Sequence, residues 1–248
     1  LPILGFFFCA SGYIQAQVHD PHTLSRIALR EHVSFLASDS LEGRLTGTEG
    51  NLIAGEYIAD RFVDIGLDEY NGTSYFHYFD VEIPSAIGEI PLVVLEGCNV
   101  IGVLPGTHPK LKNEYIIVGA HYDHLGTLHG NPGVIDSVYN GADDNASGTA
   151  VLIETARYLK EKGGLPRTVV FVAFDGEEQG LWGSEHFLKD PLYPVSQIKT
   201  MISLDMVGYY RTSGVLKVIG TGTLEDSRQW LTPSDVLKVR FISFENSL

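Results

Sequence analysis

Four short stretches of this chain bring together side chains that bind metals and move protons: His121-Tyr122-Asp123-His124, Asp143-Asp144-Asn145, Asp175-Gly176-Glu177-Glu178, and Asp205. Each has an ordinary explanation when taken alone. Aspartate at 143 or 144 suits a helix N-cap, where it accepts from free backbone N–H groups. Glu177-Glu178 suits a solvated turn, Asp205 a strand end, and a lone histidine is more often a satisfied structural residue than a ligand. The conjunction is harder to explain away, because each stretch directly follows an apolar run or precedes a helical one. In an open α/β sheet the strand C-terminal ends share one edge, and ligands bind in the crevice there. One histidine with several carboxylates is a donor set suited to zinc, with cobalt or manganese as substitutes.

The elements that would place these residues are legible in the apolar pattern. Tyr115–Ala120, Thr168–Phe174 and Met201–Leu204 are continuous apolar runs, as expected of strands covered by helices on both faces. Thr149 to Lys162 reads as the helix between the first two, with Val151, Leu152, Thr155 and Leu159 on one face and Gly163-Gly164 as its stop. Upstream, 22–37 and 49–65 read as helices, the second closed by Gly66, and LEGRLTGTEG between them reads as a loop. Tyr75–Ile83, Pro91–Leu95 and Asn99–Leu104 read as three antiparallel strands broken by Pro and Gly. With no repeat or linker, the expected architecture is one three-layer α/β domain, its central sheet mixed but mostly parallel and flanked by helices.

At 248 residues and 44% hydrophobic composition the chain can bury a core, and its 31 acidic against 17 basic residues give a net charge of −14. A field of that sign repels phosphate backbones and anionic membranes, so nucleic acid is not an expected partner. Glycine, at 27 residues, shows no collagen-like period and so belongs to turns and close backbone approaches. Residues 1–16, LPILGFFFCASGYIQA, read as a partial secretory signal, leaving a mature chain from about Gln17 that is secreted or periplasmic and not stably inserted in a membrane. Cys9 lies in that segment, so Cys98 has no partner for an intramolecular disulfide.

GAHYDHLG (119–126), NGADDNASGTA (140–150), FDGEEQGLWGSEHF (174–187) and ISLDMVG (202–208) resemble the successive metal motifs of the co-catalytic zinc aminopeptidases, metallopeptidase family 28. LASDSLEGRLTGTEGN (36–51) and NVIGVLPG (99–106) resemble the lead-in regions of its secreted bacterial members. The resemblance covers about 30–248 and implies a zinc exopeptidase fold acting on peptides, with 17–248 as the peptidase domain. It assigns His121 and Asp205 to one zinc, Glu178 to a second, and Asp144 to a bridge between them, since the family pattern Asp-x-x-Ser-Gly falls on Asp144 to Gly148. Glu177 matches the general base, and Asp123 the carboxylate that orients the liganding imidazole. His124 and His129 match no ligand position, and Gly220-Thr221-Gly222 is only a weak likeness of a phosphate loop.

The implied chemistry is self-consistent. Three ligating carboxylates and one bridging hydroxide neutralise two Zn²⁺ ions, whereas one ion would leave excess negative charge buried. Water between two dications has a pKa lowered towards ~7. Glu177, whose pKa a partly desolvated acidic crevice raises, would take its proton and pass it to the leaving amine. The resemblance places the substrate's free α-amine at the metals, hence an aminopeptidase. One departure stands out: the family completes its second zinc with a C-terminal histidine in a Ser-Asp-His context, and the last of the nine histidines here is His186. The domain is therefore expected to be incomplete at its C-terminus, holding zinc better at His121/Asp144/Asp205 than at Glu178. Alternatives are a zinc carboxypeptidase or glutaminyl cyclase on the same scaffold, or an inactive binding ectodomain. Oligomeric state is not readable.

Overall fold

The computed structural model describes residues 25–83, 93–128, 137–189, 192–209, 216–219 and 239–242. The signal-like segment 1–16, His129 and the glycines at 220 and 222 lie outside them. In chain order the helices are α1 (Arg26–Leu36), α2 (Glu49–Ile65), α3 (Gly148–Glu161) and α4 (Trp182–Lys189). The strands are β1 (Asp68–Glu69), β2 (Phe76–Ile83), β3 (Val93–Leu104), β4 (Tyr115–His121), β5 (Thr168–Phe174), β6 (Ile198–Ser203), β7 (Leu216–Ile219) and β8 (Val239–Ile242). Ser25 caps α1 by accepting from the Ala28 N–H, Thr48 caps α2 by accepting from that of Asn51, and left-handed Gly66 ends α2.

The main sheet runs β1-β3-β5-β4-β6, with β2 also paired to β3; β7 and β8 form a separate parallel pair. Strands β4, β5 and β6 are parallel to one another, and β3 is antiparallel to β5, β2 and β1. Only β3 is reversed, so the sheet is mixed and mostly parallel in sense. Its apolar runs are continuous because alternate residues feed two cores. Val118, Ala120, Val169, Phe171 and Ala173 join Phe62, Leu152 and Ile153 from α2 and α3 on one face. Ile117, Val170, Val172 and Phe174 join Phe187 of α4 on the other. Those two cores make the three layers.

Three features differ from expectation. The runs expected as Pro91–Leu95 and Asn99–Leu104 are one twelve-residue strand, β3. Gly97 does not break it: Gly97 pairs with Phe79, whose ring lies where a Cβ would come within 2.5 Å. A residue that reads as a breaker is there to admit an aromatic ring. Secondly, β6 begins at Ile198 and is not doubly covered, as Met201 and Ile202 are 50% and 47% exposed among the described residues. Thirdly, LEGRLTGTEG is not featureless: Asp39–Arg44 is a tight helical turn in which Glu42, Gly43 and Arg44 have positive φ. No described helix is long and apolar enough to cross a membrane.

Candidate metal centre

The topology opens a crevice at one place. The chain leaves β4 for α3, on the face with Leu152 and Ile153, whereas it leaves β5 for α4, on the face with Phe187. Their C-terminal residues, His121 and Phe174, are paired, so the diverging connections part directly beyond them. His121 sits at this opening with its Nε2 3.2 Å from Asp144 Oδ1, 3.6 Å from Asp205 Oδ1 and 4.0 Å from Glu177 Oε2. A second imidazole enters beside it: His124 Nδ1 lies 2.7 Å from Glu178 Oε1. The potential ligand atoms form two trios, His121/Asp144/Asp205 and His124/Asp144/Glu178, each within 4.8 Å. Asp144 belongs to both.

Buried polar side chains hold these loops at a common edge. Asn145, 0% exposed, donates to the carbonyls of His121 (3.3 Å) and Leu204 (2.9 Å) and accepts from the Gly148 N–H (3.0 Å) and Met206 N–H (3.2 Å). One amide thereby ties the ends of β4 and β6 to the start of α3. Thr149 also donates to the His121 carbonyl. Asp143 faces away from the imidazoles, accepting from the Gly208 N–H (2.8 Å) and the Ser147 hydroxyl (3.2 Å). It joins the loop after Asp205 to the one bearing Asp144, rather than capping a helix.

Asp123, fully buried, faces His121 Nδ1 at 3.5 Å, and its two oxygens accept from the N–H groups of Glu177 and Glu178. It therefore positions two of the acidic residues as well as the imidazole. Asp175 accepts from Thr46, Asn51 and the Cys98 N–H, bonding the 44–51 segment to the β5 end. Arg44 is buried with no carboxylate bonded to it among the described residues. Its guanidinium donates instead to the carbonyls of Tyr122 (2.8 Å), Asn140 (2.8 Å), Gly141 (3.1 Å) and Leu36. The segment expected to be a loop is thus the clamp on both histidine- and aspartate-bearing turns. No sequence pattern marked it, because its partners are backbone atoms.

Electrostatics follow from this crowding. Burial alone would lower the His121 pKa, but Asp123, Glu177 and Asp205 outweigh it and raise the imidazole to about 9 in the metal-free chain. Burial raises the Glu177 carboxyl; Asp123, Glu178 and Asp205 push in the same direction, against His121. Two imidazole nitrogens and several carboxylates around a shared Asp144 fit a pair of divalent, borderline cations such as zinc. Every residue expected at the site, His121, Asp123, Asp144, Glu177, Glu178 and Asp205, converges here. His124 converges too, although it matched no ligand position.

A model of peptidase family M28 matches residues 99–237, more than half of the chain. The chain belongs to peptidase family M28. Leucine aminopeptidase 1 of Ajellomyces capsulatus is 34% identical over 116 residues, spanning 45% of this M28 chain and 28% of that protein's length. The chain thus covers under a third of this relative. A zinc aminopeptidase from Bacillus subtilis superposes with a TM-score of 0.66 at 15% identity, covering 88% of this chain and 80% of that one. Porphyromonas gingivalis glutaminyl cyclase gives 0.56 at 23% identity, with coverage of 75% and 62%. At such identities the superpositions establish a shared fold, and they do not separate a peptidase from a cyclase.

Proposed function

We propose that this chain carries the catalytic site of a zinc-dependent aminopeptidase that removes N-terminal residues from peptides. The observation that carries the reading is the pair of donor trios sharing Asp144, with Glu177 beside them and outside both. His121, Asp144 and Asp205 would hold one zinc; Asp144 and Glu178 would contribute to a second. Bound zinc supplies Lewis acidity, polarising a carbonyl and activating water at neutral pH. Glu177 accepts a proton from the attacking water and delivers it to the departing amine, a task favoured by its raised pKa. Asp123 holds the Glu177 backbone so that its side chain faces the same opening.

The charge of the opening supports an aminopeptidase over a carboxypeptidase. Asp144, Glu177, Glu178 and Asp205 attract a substrate amine, while Arg44 is buried against carbonyls and offers nothing to a substrate carboxylate. A donor set for two metals also argues against a one-zinc cyclase. Zinc-loaded protein is expected to release chromophore from aminoacyl anilides and to lose this activity with a chelator. Glu177→Gln should lower the rate by ~10²–10⁴-fold while retaining zinc. Cleavage of N-acetylated peptides alone supports the carboxypeptidase, cyclisation of N-terminal glutamine the cyclase, and zinc binding without turnover the inactive ectodomain. We further propose that the mature protein acts outside the cytoplasm, on the strength of residues 1–16. An N-terminus near Gln17 on protein from the periplasm or medium supports export, and intracellular protein retaining Leu1 contradicts it.

A further inference from the structure

The imidazole in the second trio comes from a residue outside the motif positions. We infer that His124 is a ligand of the second metal through Nδ1, an assignment that rests on the metallopeptidase reading above. Several independent contacts aim this ring. The His124 N–H donates to the Arg44 carbonyl at 3.1 Å, and the Gly126 N–H to that of Gly43, so both sides of the residue are pinned to the clamp segment. The ring lies flat against Gly141, where a Cβ would come within 2.6 Å of an imidazole carbon. Tyr139 meets it edge-on, with ring centroids 6.5 Å apart and planes at 84°. The buried ring therefore has one nitrogen at Glu178 and a defined plane.

A hydrogen bond that steadies Glu178 is the simpler role for such a contact. It explains Glu178 and leaves Asp144 unaccounted for, since that carboxylate also places an oxygen within 4.8 Å of both partners. Two half-buried carboxylates around one imidazole carry an excess of negative charge that a dication offsets. The histidines are also complementary. His121 turns Nδ1 to Asp123 and presents Nε2 to the centre, while His124 presents Nδ1, so one four-residue turn supplies an imidazole to each trio. The resemblance sought the second imidazole beyond Asp205, where these 248 residues hold no histidine. With His124 in that role, the Glu178 side is a full binding site and not the weak one expected from the motifs.

The test uses the full chain labelled with ¹⁵N-histidine and titrated with zinc, alongside His124→Ala and His124→Asn. Asparagine places an amide N–H near the Nδ1 position, preserving a hydrogen bond to Glu178 while removing the imidazole lone pair. The unsubstituted chain is expected to bind two equivalents and to show one Nε2 and one Nδ1 resonance moving. Both variants should lose the Nδ1 response and bind the second equivalent at least ~10-fold more weakly. The His121 Nε2 response, retained, shows that each variant is folded. A second equivalent bound equally well by His124→Asn or His124→Ala, or movement of Nε2 alone in the unsubstituted chain, overturns the assignment and leaves the metallopeptidase reading standing. No zinc bound by any of the three overturns both.

Discussion

Asn145 shows how much a single non-ligand residue contributes to the centre. All four hydrogen-bonding positions of its amide are occupied, and its partners belong to three different elements. Asn145→Ala leaves the Leu204 carbonyl and two N–H groups without that partner; each such buried loss costs ~1–3 kcal/mol, so a destabilisation of about 3 kcal/mol is expected in urea denaturation. The variant should also bind zinc more weakly, because Asp144 and Asp205 are no longer tied together. Asp175 sets a pH dependence. Burial, reinforced by Asp123, raises its carboxyl from 3.8 to about 6, against the donors Cys98 N–H, Thr46 and Asn51. The folded chain therefore binds more protons at this residue than the unfolded chain does between those values. That contribution to stability is complete below pH 3.8 and is lost as pH rises through about 6. Denaturation of metal-free protein across this window should show the decline, and Asp175→Asn should flatten it. The acidic ligands were legible in the sequence because metal-binding side chains directly follow strands. Asn145, Thr46 and Arg44 were not, because nothing in an amide, hydroxyl or guanidinium says which backbone atoms it will meet.

At the level of elements, periodicity served where both faces were covered and failed where it was interrupted. The β4 and β5 runs were readable because every residue of each faces one of two cores. In β3, Gly97 concealed a continuous strand, since its role is to make room for Phe79 on the neighbouring strand. Gly97→Val should push that ring aside and cost ~1–3 kcal/mol, with Phe79→Ala restoring part of the loss in a double-mutant cycle. Additive losses would show that the two positions do not interact. For β6 the apolar residues were recognised but not their surroundings, because burial is decided by whatever packs alongside. Length and pairing order are likewise absent from a strand's own residues: β6 lies beside β4 rather than β5, its predecessor in the chain.

For the molecule as a whole, an excess of negative charge is gathered at one edge of the sheet, where Asp144, Glu177, Glu178 and Asp205 meet. Zinc bound there should stabilise the native state by about 2.7 kcal/mol at a free concentration 100-fold above its Kd. Thermal unfolding is therefore expected at a higher temperature with zinc and at a lower one with a chelator. An unchanged midpoint would mean that these side chains do not form a metal site. The clamp formed by Arg44, Thr46 and Asn51 also has a consequence in time. Thr46 and its acceptor Asp175 are 129 positions apart. At ~5–20 residues per second, a ribosome needs roughly 6–26 s to travel from one to the other. Throughout that interval the clamp has been made and has nothing at the β5 end to close on. Assembly of the centre is therefore one of the later events in the life of the nascent chain, and a ribosome that stalls before Asp175 releases no partial version of it.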